Sequence, residues 1–150
     1  HRIDGWIRRR FYPAFIATMR YLKNSRPHLH ETLNSLKQRG IRLAVLSDYA
    51  CVAERLNMLR IDSTLFDVVT SSEARGALKP CPRPLTEIAA QWNLPADRVV
   101  VVGDRADTDG GAAMAAGMHF IRIDDGNRPQ DPAGLAWNRV CDSLAQLGAP

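Results

Sequence analysis

Short apolar runs alternate with amphipathic stretches along most of the chain. Four of these runs have the length and the apolar content of buried strands, and they fall at 41–47, 66–71, 98–104 and 119–124. Between them, helical spacing of apolar residues predicts helices over 28–39, 50–59, 83–92, 112–117 and 142–147, with a loop over 125–134. Strands that alternate with helices predict an α/β fold, a Rossmann-like doubly wound parallel sheet over residues 25–150.

The first 24 residues depart from this alternation. Residues 6–22 mix apolar and basic side chains at helical spacing, and Pro13 marks a helix start or break within them. The sequence Ser-Arg-Pro at 25–27 then marks a boundary. We therefore expect a separate helical segment or linker over 1–24.

Composition narrows the class of protein. The chain has 150 residues, of which 45% are hydrophobic and 24% charged, as in an ordinary soluble domain. No apolar run approaches the roughly 20 residues of a membrane helix, so we expect no membrane association. Three cysteines with wide spacing and no CxxC argue against a disulfide framework or a zinc site. Reduced thiols in a cytoplasmic protein fit this pattern.

Charge is distributed unevenly. Residues 1–42 carry ten basic and two acidic side chains, while the other 108 residues carry ten basic and fourteen acidic ones. A basic segment suits an anionic substrate or a nucleic acid, but it is also typical of a solvated helix face. Because no aromatic stacking residues interleave with the arginines of 8–10, we do not expect a nucleic-acid partner.

Polar residues follow the first two predicted strands. Ligands of parallel α/β sheets bind beyond the carboxyl ends of the strands. Ser47 and Asp48 end the first strand, where a hydroxyl and backbone N–H groups can hold a phosphate oxygen, although turns also favour serine. Lys79 follows the second strand, between Gly76 and Pro80, where its ammonium can neutralise a phosphate or remain a surface charge. We take all three side chains as candidate substrate-binding groups, and Ser47 and Lys79 as candidate catalytic groups.

Three carboxylates follow the third strand. Asp104 comes directly after it, and Asp107 and Asp109 lie in the same loop. Clustered carboxylates repel one another unless a hard cation such as Mg²⁺ neutralises them. Aspartates are also favoured at helix starts, so one of the three could serve only as a cap. The cluster predicts a Mg²⁺ site.

Taken together and in this order, the motifs resemble those of the haloacid dehalogenase (HAD) superfamily, and specifically its phosphoglycolate-phosphatase-like members. The segments LAVLSDY, LKPCPRPL and VVVVGDRADTDGGAAMAAGM resemble its second, third and fourth motifs, over about residues 25–147. The resemblance implies a HAD core that acts as a Mg²⁺-dependent hydrolase of small phosphorylated substrates. The common KPDP form of the third motif is Lys-Pro-Cys-Pro here, so Cys81 departs from it.

The resemblance also implies roles for single residues. Ser47 would bind the transferring phosphoryl group, and Lys79 would hold that group and the nucleophile. Asp104 would ligate Mg²⁺ directly. Asp109 matches the second acid of the metal site better than Asp107, which we keep as the alternative.

The family's first motif is absent from the sequence. It is a strand ending in DxDGT, whose first aspartate is the nucleophile and whose second is the general acid/base. Residues 2–6, Arg-Ile-Asp-Gly-Trp, share only an Asp-Gly pair with it. The resemblance places that strand between the ones ending at Ser47 and Asp104, so its loss leaves two unpaired edges facing each other.

This absence shapes the expected function. We expect a fragment of a phosphomonoester hydrolase that works through an aspartyl-phosphate and is inactive alone, with residues 1–24 as the remnant of a helical cap. Alternatively, a second chain or an oligomer supplies the strand, or the sheet rearranges into a non-catalytic binding module. A phosphomutase of the same superfamily and a nucleic-acid-binding α/β domain are further alternatives.

Overall fold

Four short strands lie at the centre of the fold in the computed structural model, which describes residues 5–22, 25–124 and 134–147. They are β1 (Ala44–Ser47), β2 (Val68–Ser71), β3 (Val100–Gly103) and β4 (His119–Arg122). Each strand lies inside one of the four apolar runs, as the sequence predicts.

Helices separate and flank these strands. They are α1 (Tyr12–Thr18), α2 (Leu29–Gln38), α3 (Val52–Met58), α4 (Arg83–Gln91), α5 (Gly111–Ala115) and α6 (Trp137–Ala145). A π-helical turn, Ile7–Phe11, leads into α1, and another, Ala106–Gly110, leads into α5. Pro13 lies in the first turn of α1, directly after the π-helical turn. No helix within the described ranges is long and apolar enough to cross a membrane.

The last helix begins earlier than the sequence analysis predicted. The prediction was 142–147, whereas α6 starts at Trp137. Val140 and Leu144 are spaced by four residues and are both buried against α2, so the apolar face of the helix starts before the predicted boundary. The predicted loop 125–134 lies, except for Gly134, outside the described residues.

The strands form two parallel pairs. β1 pairs with β2 from Ala44 opposite Val68 to Ser47 opposite Ser71. β3 pairs with β4 from Val100 opposite His119 to Gly103 opposite Arg122. Helices cover both faces: α4 and α5 pack on one face, and α2, α3 and α6 pack on the other. The parallel pairing and the two helical layers confirm the predicted α/β class.

No ladder joins β1 to β3 within the described residues. The carbonyls of Leu43, which directly precedes β1, and of Ser47 accept hydrogen bonds from the β2 side. Because alternate residues of a strand direct their backbone groups to opposite edges, the N–H and C=O groups of Ala44 and Leu46 face away from β2.

The backbone groups of β3 alternate in the same way. The carbonyls of Val99 and Gly103 accept from the N–H groups of His119 and Ile123 on the β4 side. The backbone groups of Val100 and Val102 therefore face the opposite edge. Each pair thus has one inner strand edge, on β1 and on β3, with no strand partner among the described residues.

These two open edges belong to one layer. Leu46 of β1 and Val101 of β3 pack against the same apolar cluster, which α4 and α5 build. Strands of parallel sheets are normally buried on both faces, yet the side chain of Val102 is 37% exposed. Among the described residues, β1 and β3 therefore each have an inner edge without a strand partner, on one side of a shared apolar cluster.

Asp67 connects the start of β1 to helix α2 through two hydrogen bonds, and replacing Asp67 tests their contribution to stability. Lys37 Nζ lies 2.7 Å from Asp67 Oδ1, and the Leu43 N–H donates to Asp67 Oδ2 at 2.8 Å. The Lys37 hydrogen bond, opposed by partial burial and aided by the Leu43 N–H, lowers the pKa of Asp67. We expect Asp67→Asn to reduce the free energy of unfolding at pH 7 by about 1 kcal/mol.

The pH dependence gives this prediction its sign. A carboxyl with a lowered folded pKa stabilises the fold above its unfolded pKa of about 4, and that stabilisation disappears as pH falls through the folded pKa. The free energy of unfolding, measured in urea, is therefore expected to differ less between pH 7 and pH 3 in Asp67→Asn than in the parent chain. Asp97→Asn, at an exposed carboxyl, is the control. An unchanged pH slope in Asp67→Asn would contradict the assignment.

Candidate active site

Lys79 lies between the carboxyl ends of β1 and β3. Its Nζ is 2.5 Å from Asp109 Oδ1 and 3.9 Å from Asp48 Oδ1. The Lys79 backbone N–H also donates to Asp48 Oδ1 at 3.3 Å. The lysine side chain is only 13% exposed. Three predicted site residues from three different loops thus form one contact group.

The loop that carries Lys79 is held by its own hydrogen bonds. Ser71 Oγ accepts from the Ala74 N–H, and the Ala77 N–H donates to the Ser72 carbonyl, both at 3.0 Å. Gly76 adopts a positive φ of 69°, a conformation that glycine takes without strain. The loop therefore returns from β2 to the sheet edge along a defined path, which brings Lys79 to Asp48.

Gly103 allows Asp109 to fold back onto the end of β3. A Cβ at Gly103 would lie 2.5 Å from Asp109 Oδ2, which no side chain can accommodate. The Arg105 N–H donates to the same oxygen at 3.2 Å, and Asp109 is 8% exposed. Gly103 thus allows the close approach of Asp109 to the end of β3, and Asp104 places a second carboxylate directly after it.

The other two acids of this loop have different surroundings. Asp107 is exposed and pairs with Arg105, whose hydrogen bond lowers the pKa of Asp107. Asp104 is also exposed, and its carboxylate makes no hydrogen bond or ion pair with any residue of the described ranges. Of the two acids that the sequence left open, Asp109 rather than Asp107 lies beside Lys79.

Ser47 makes a contact that the sequence analysis did not anticipate. Its Oγ accepts a hydrogen bond of 2.7 Å from Arg55 Nη1, on helix α3. No motif singled out Arg55, because it lies eight residues beyond the strand, within an ordinary amphipathic helix. Ser47 ends β1, and Lys79 lies in the loop that follows β2. No hydrogen bond joins their side chains.

The acids fit Mg²⁺ by their chemistry. Mg²⁺ is usually held by one or two carboxylates, with water and substrate phosphate completing its shell. Asp104 and Asp109, from one loop, supply that number. Within the described residues, no group of three or more His, Cys, Asp or Glu side chains comes together as a metal site.

The N-terminal helix packs beside this edge of the sheet. Tyr12 is buried, its hydroxyl donates to Glu73, and the Ala50 N–H donates to that hydroxyl at 3.2 Å. Burial, with the Glu73 hydrogen bond, raises the pKa of Tyr12. The Phe15 ring meets that of Tyr49 edge-on at 5.6 Å. Helix α1 therefore contacts the loop that follows Ser47.

Together these features define a class of protein. It is an α/β protein whose site at the carboxyl ends of parallel strands combines a lysine, a hydroxyl and carboxylates, an arrangement suited to an anion and a divalent cation. Comparison with known families agrees with the class. Residues 8–123 match the model of the haloacid dehalogenase-like hydrolases, and the chain belongs to this family.

Two curated relatives illustrate the family. A phosphoglycolate phosphatase of Nitrosospira multiformis is 33% identical over 121 residues, which cover 79% of this chain and 52% of the relative. A glyceraldehyde 3-phosphate phosphatase of Methanocaldococcus jannaschii is 34% identical over 98 residues, covering 65% of this chain and 43% of the relative. The chain spans about half the length of the curated relatives it matches.

A solved structure supports the fold. The crystal structure of a HAD phosphatase from Thermococcus onnurineus superposes with a TM-score of 0.69 at 20% identity, over 79% of this chain and 57% of that one. This likeness extends to the arrangement of helices and parallel strands.

Proposed function

We propose that the chain is the core of a Mg²⁺-dependent phosphomonoester hydrolase that works through an aspartyl-phosphate. One observation carries the proposal: the nearly buried Lys79 ammonium lies at the carboxyl ends of the strands, within 4 Å of Asp48 and Asp109. A cation held there stabilises a phosphoryl group and the negative charge that develops on it. The names of the two relatives support a small phosphorylated substrate.

Each site residue has its own role in binding the phosphoryl group. The Ser47 hydroxyl donates to one phosphoryl oxygen, and the Lys79 ammonium neutralises the others and orients the nucleophile. Asp48 fixes the backbone of Lys79 and so the position of its side chain. Asp104 and Asp109 hold Mg²⁺, which supplies Lewis-acid stabilisation of the phosphoryl oxygens when bound.

The nucleophile is an aspartate on a strand that enters between β1 and β3. Among the described residues, β1 and β3 each have an open inner edge beside one apolar cluster, and a strand between them would end beside Lys79. The described ranges contain no such strand, and the sequence contains no DxDGT motif. The strand comes from elsewhere on a longer polypeptide or from a second chain, and the chain without it has no turnover.

The absence of the DxDGT motif also favours a second candidate, a non-catalytic module that binds phosphorylated ligands. Both candidates need the same phosphate site, and they differ in turnover once the strand is supplied. The three cysteines are all free thiols, which supports a reducing compartment such as the cytoplasm for either candidate.

Orthophosphate binding tests the proposed site. In a ³¹P NMR titration, we expect the chain to bind orthophosphate and Ser47→Ala to weaken that binding about tenfold, as for one lost hydrogen bond to a charged group. Ser35→Ala, at an exposed serine of α2, is the control and is expected to leave the affinity unchanged. Failure of the parent chain to bind, or equal binding by Ser47→Ala, would refute the proposed site.

A further inference from the structure

Arg55 is a partly buried cation with no acidic partner among the residues that the structure describes. Its guanidinium makes no ion pair with a carboxylate of the described residues, and its Nε is buried without a hydrogen-bond partner. A charge removed from water in this way is unfavourable unless an opposite charge compensates it. The described residues supply no such charge, so the surroundings of Arg55 suit a bound anion.

Arg55 donates a side-chain hydrogen bond to Ser47. Arg55 Nη1 donates to Ser47 Oγ at 2.7 Å. A guanidinium has only donors, so the serine oxygen must be the acceptor in this bond. The single hydroxyl hydrogen of Ser47 is consequently left to donate to another group. A neighbouring cation also polarises the hydroxyl and makes it a stronger donor to an anion.

The guanidinium is held from the other side by helix α1. Arg55 Cζ lies 5.0 Å from the centre of the Phe15 ring, a cation–π distance. Phe15 in turn contacts Tyr49, two residues beyond Ser47. Arg55 is thus fixed between the N-terminal helix and the end of β1.

We propose that Arg55 is the positioning residue of the phosphate site: it fixes the rotamer of Ser47, so that the serine hydroxyl donates to a phosphoryl oxygen, and α1 completes this arrangement through Phe15. The proposal rests on the proposed function in so far as Ser47 binds phosphate. It extends that function by connecting the N-terminal helix to the binding of the anion.

A double-mutant cycle tests the proposal, with orthophosphate as the probe and ³¹P NMR as the measurement. Arg55→Met keeps the apolar stem but removes the charge and the donor, and we expect it to weaken phosphate binding about tenfold. In the Ser47→Ala background, the same substitution is expected to have little further effect, because no hydroxyl remains to be oriented. Arg55→Lys, which retains a donor and a charge, is expected to restore part of the affinity.

The outcomes separate this proposal from the proposed function. If Ser47→Ala weakens binding and Arg55→Met does not, the phosphate site stands and the role of Arg55 is refuted. If Arg55→Met weakens binding equally with and without Ser47, Arg55 acts independently of the serine and the proposal is overturned. If the parent chain does not bind orthophosphate, the proposed function fails, and the role of Arg55 fails with it. Circular dichroism of each variant distinguishes loss of binding from loss of the fold.

Discussion

Adding a strand that ends in DxDGT to this chain is expected to produce hydrolysis of p-nitrophenyl phosphate, whereas the 150-residue chain alone is expected to show none above background. The strand, fused at the N-terminus through a Gly/Ser linker, would pair with the open edges of β1 and β3. It would place a nucleophilic carboxylate beside Lys79. The extended chain has a nucleophile in the site and the parent chain has none. We therefore expect the hydrolysis rate to rise by at least about 10³-fold.

Substitutions in the extended chain test whether the hydrolysis depends on the proposed site residues. Asp104→Asn is expected to abolish Mg²⁺-dependent hydrolysis, because it removes the proposed metal ligand that directly follows β3. Asp107→Asn alters a carboxylate of the same loop that pairs with Arg105 in solvent, and it is expected to retain activity. Replacing the first aspartate of the added motif by asparagine is expected to abolish turnover without preventing insertion of the strand.

Hydrogen exchange reports insertion independently of catalysis. The amides of Leu46 and Val102 face the open edges, so we expect them to exchange rapidly in the parent chain and to gain protection in the extended one. Protection without hydrolysis would favour the non-catalytic binding module. Robust, Asp104-dependent hydrolysis by the unextended chain would contradict the proposal that the nucleophile lies outside it.

The parts of the fold that the sequence predicts are those with a local signal. The four valines at 99–102 are all apolar and β-branched, so β3 is evident from its composition alone. The start of α6 is not evident, because the residues before it in the sequence are rich in Gly, Pro and Asp. The helix begins where burial of Val140 and Leu144 against α2 stabilises it, and that tertiary contact leaves no local signal.

Some features of the candidate site could likewise be predicted from the sequence, and others could not. The strand-end positions of Ser47, Lys79 and Asp104 follow from topology, since the carboxyl ends of parallel strands meet at one edge. The partner of Ser47 does not follow from topology, because Arg55 reaches it from the middle of a helix. The choice between Asp107 and Asp109 depends on the close approach at Gly103, which only a folded chain reveals.

Replacing Lys79 with methionine is expected to destabilise the chain by about 3 kcal/mol, because it leaves the buried Asp109 carboxylate without its cation. This is a large part of the roughly 5–15 kcal/mol that stabilise an ordinary domain. Lys37→Met is the matched control. Its ion pair with Asp67 spans a similar 2.7 Å, but both side chains are 33% exposed, so the expected loss is about 1 kcal/mol or less. Urea unfolding measures both.

A second substitution separates the structural role of Lys79 from its role in binding. The double variant Lys79→Met/Asp109→Asn carries no unpaired buried charge at this position, and we expect it to regain most of the lost stability. Its affinity for orthophosphate is expected to stay low, since the ammonium that neutralises the anion is still missing. If Lys79→Met destabilised no more than Lys37→Met, the ion pair would contribute little to the fold. If the double variant bound orthophosphate as the parent chain does, Lys79 would be a structural lysine, and the phosphate site would have to lie elsewhere on the strand ends.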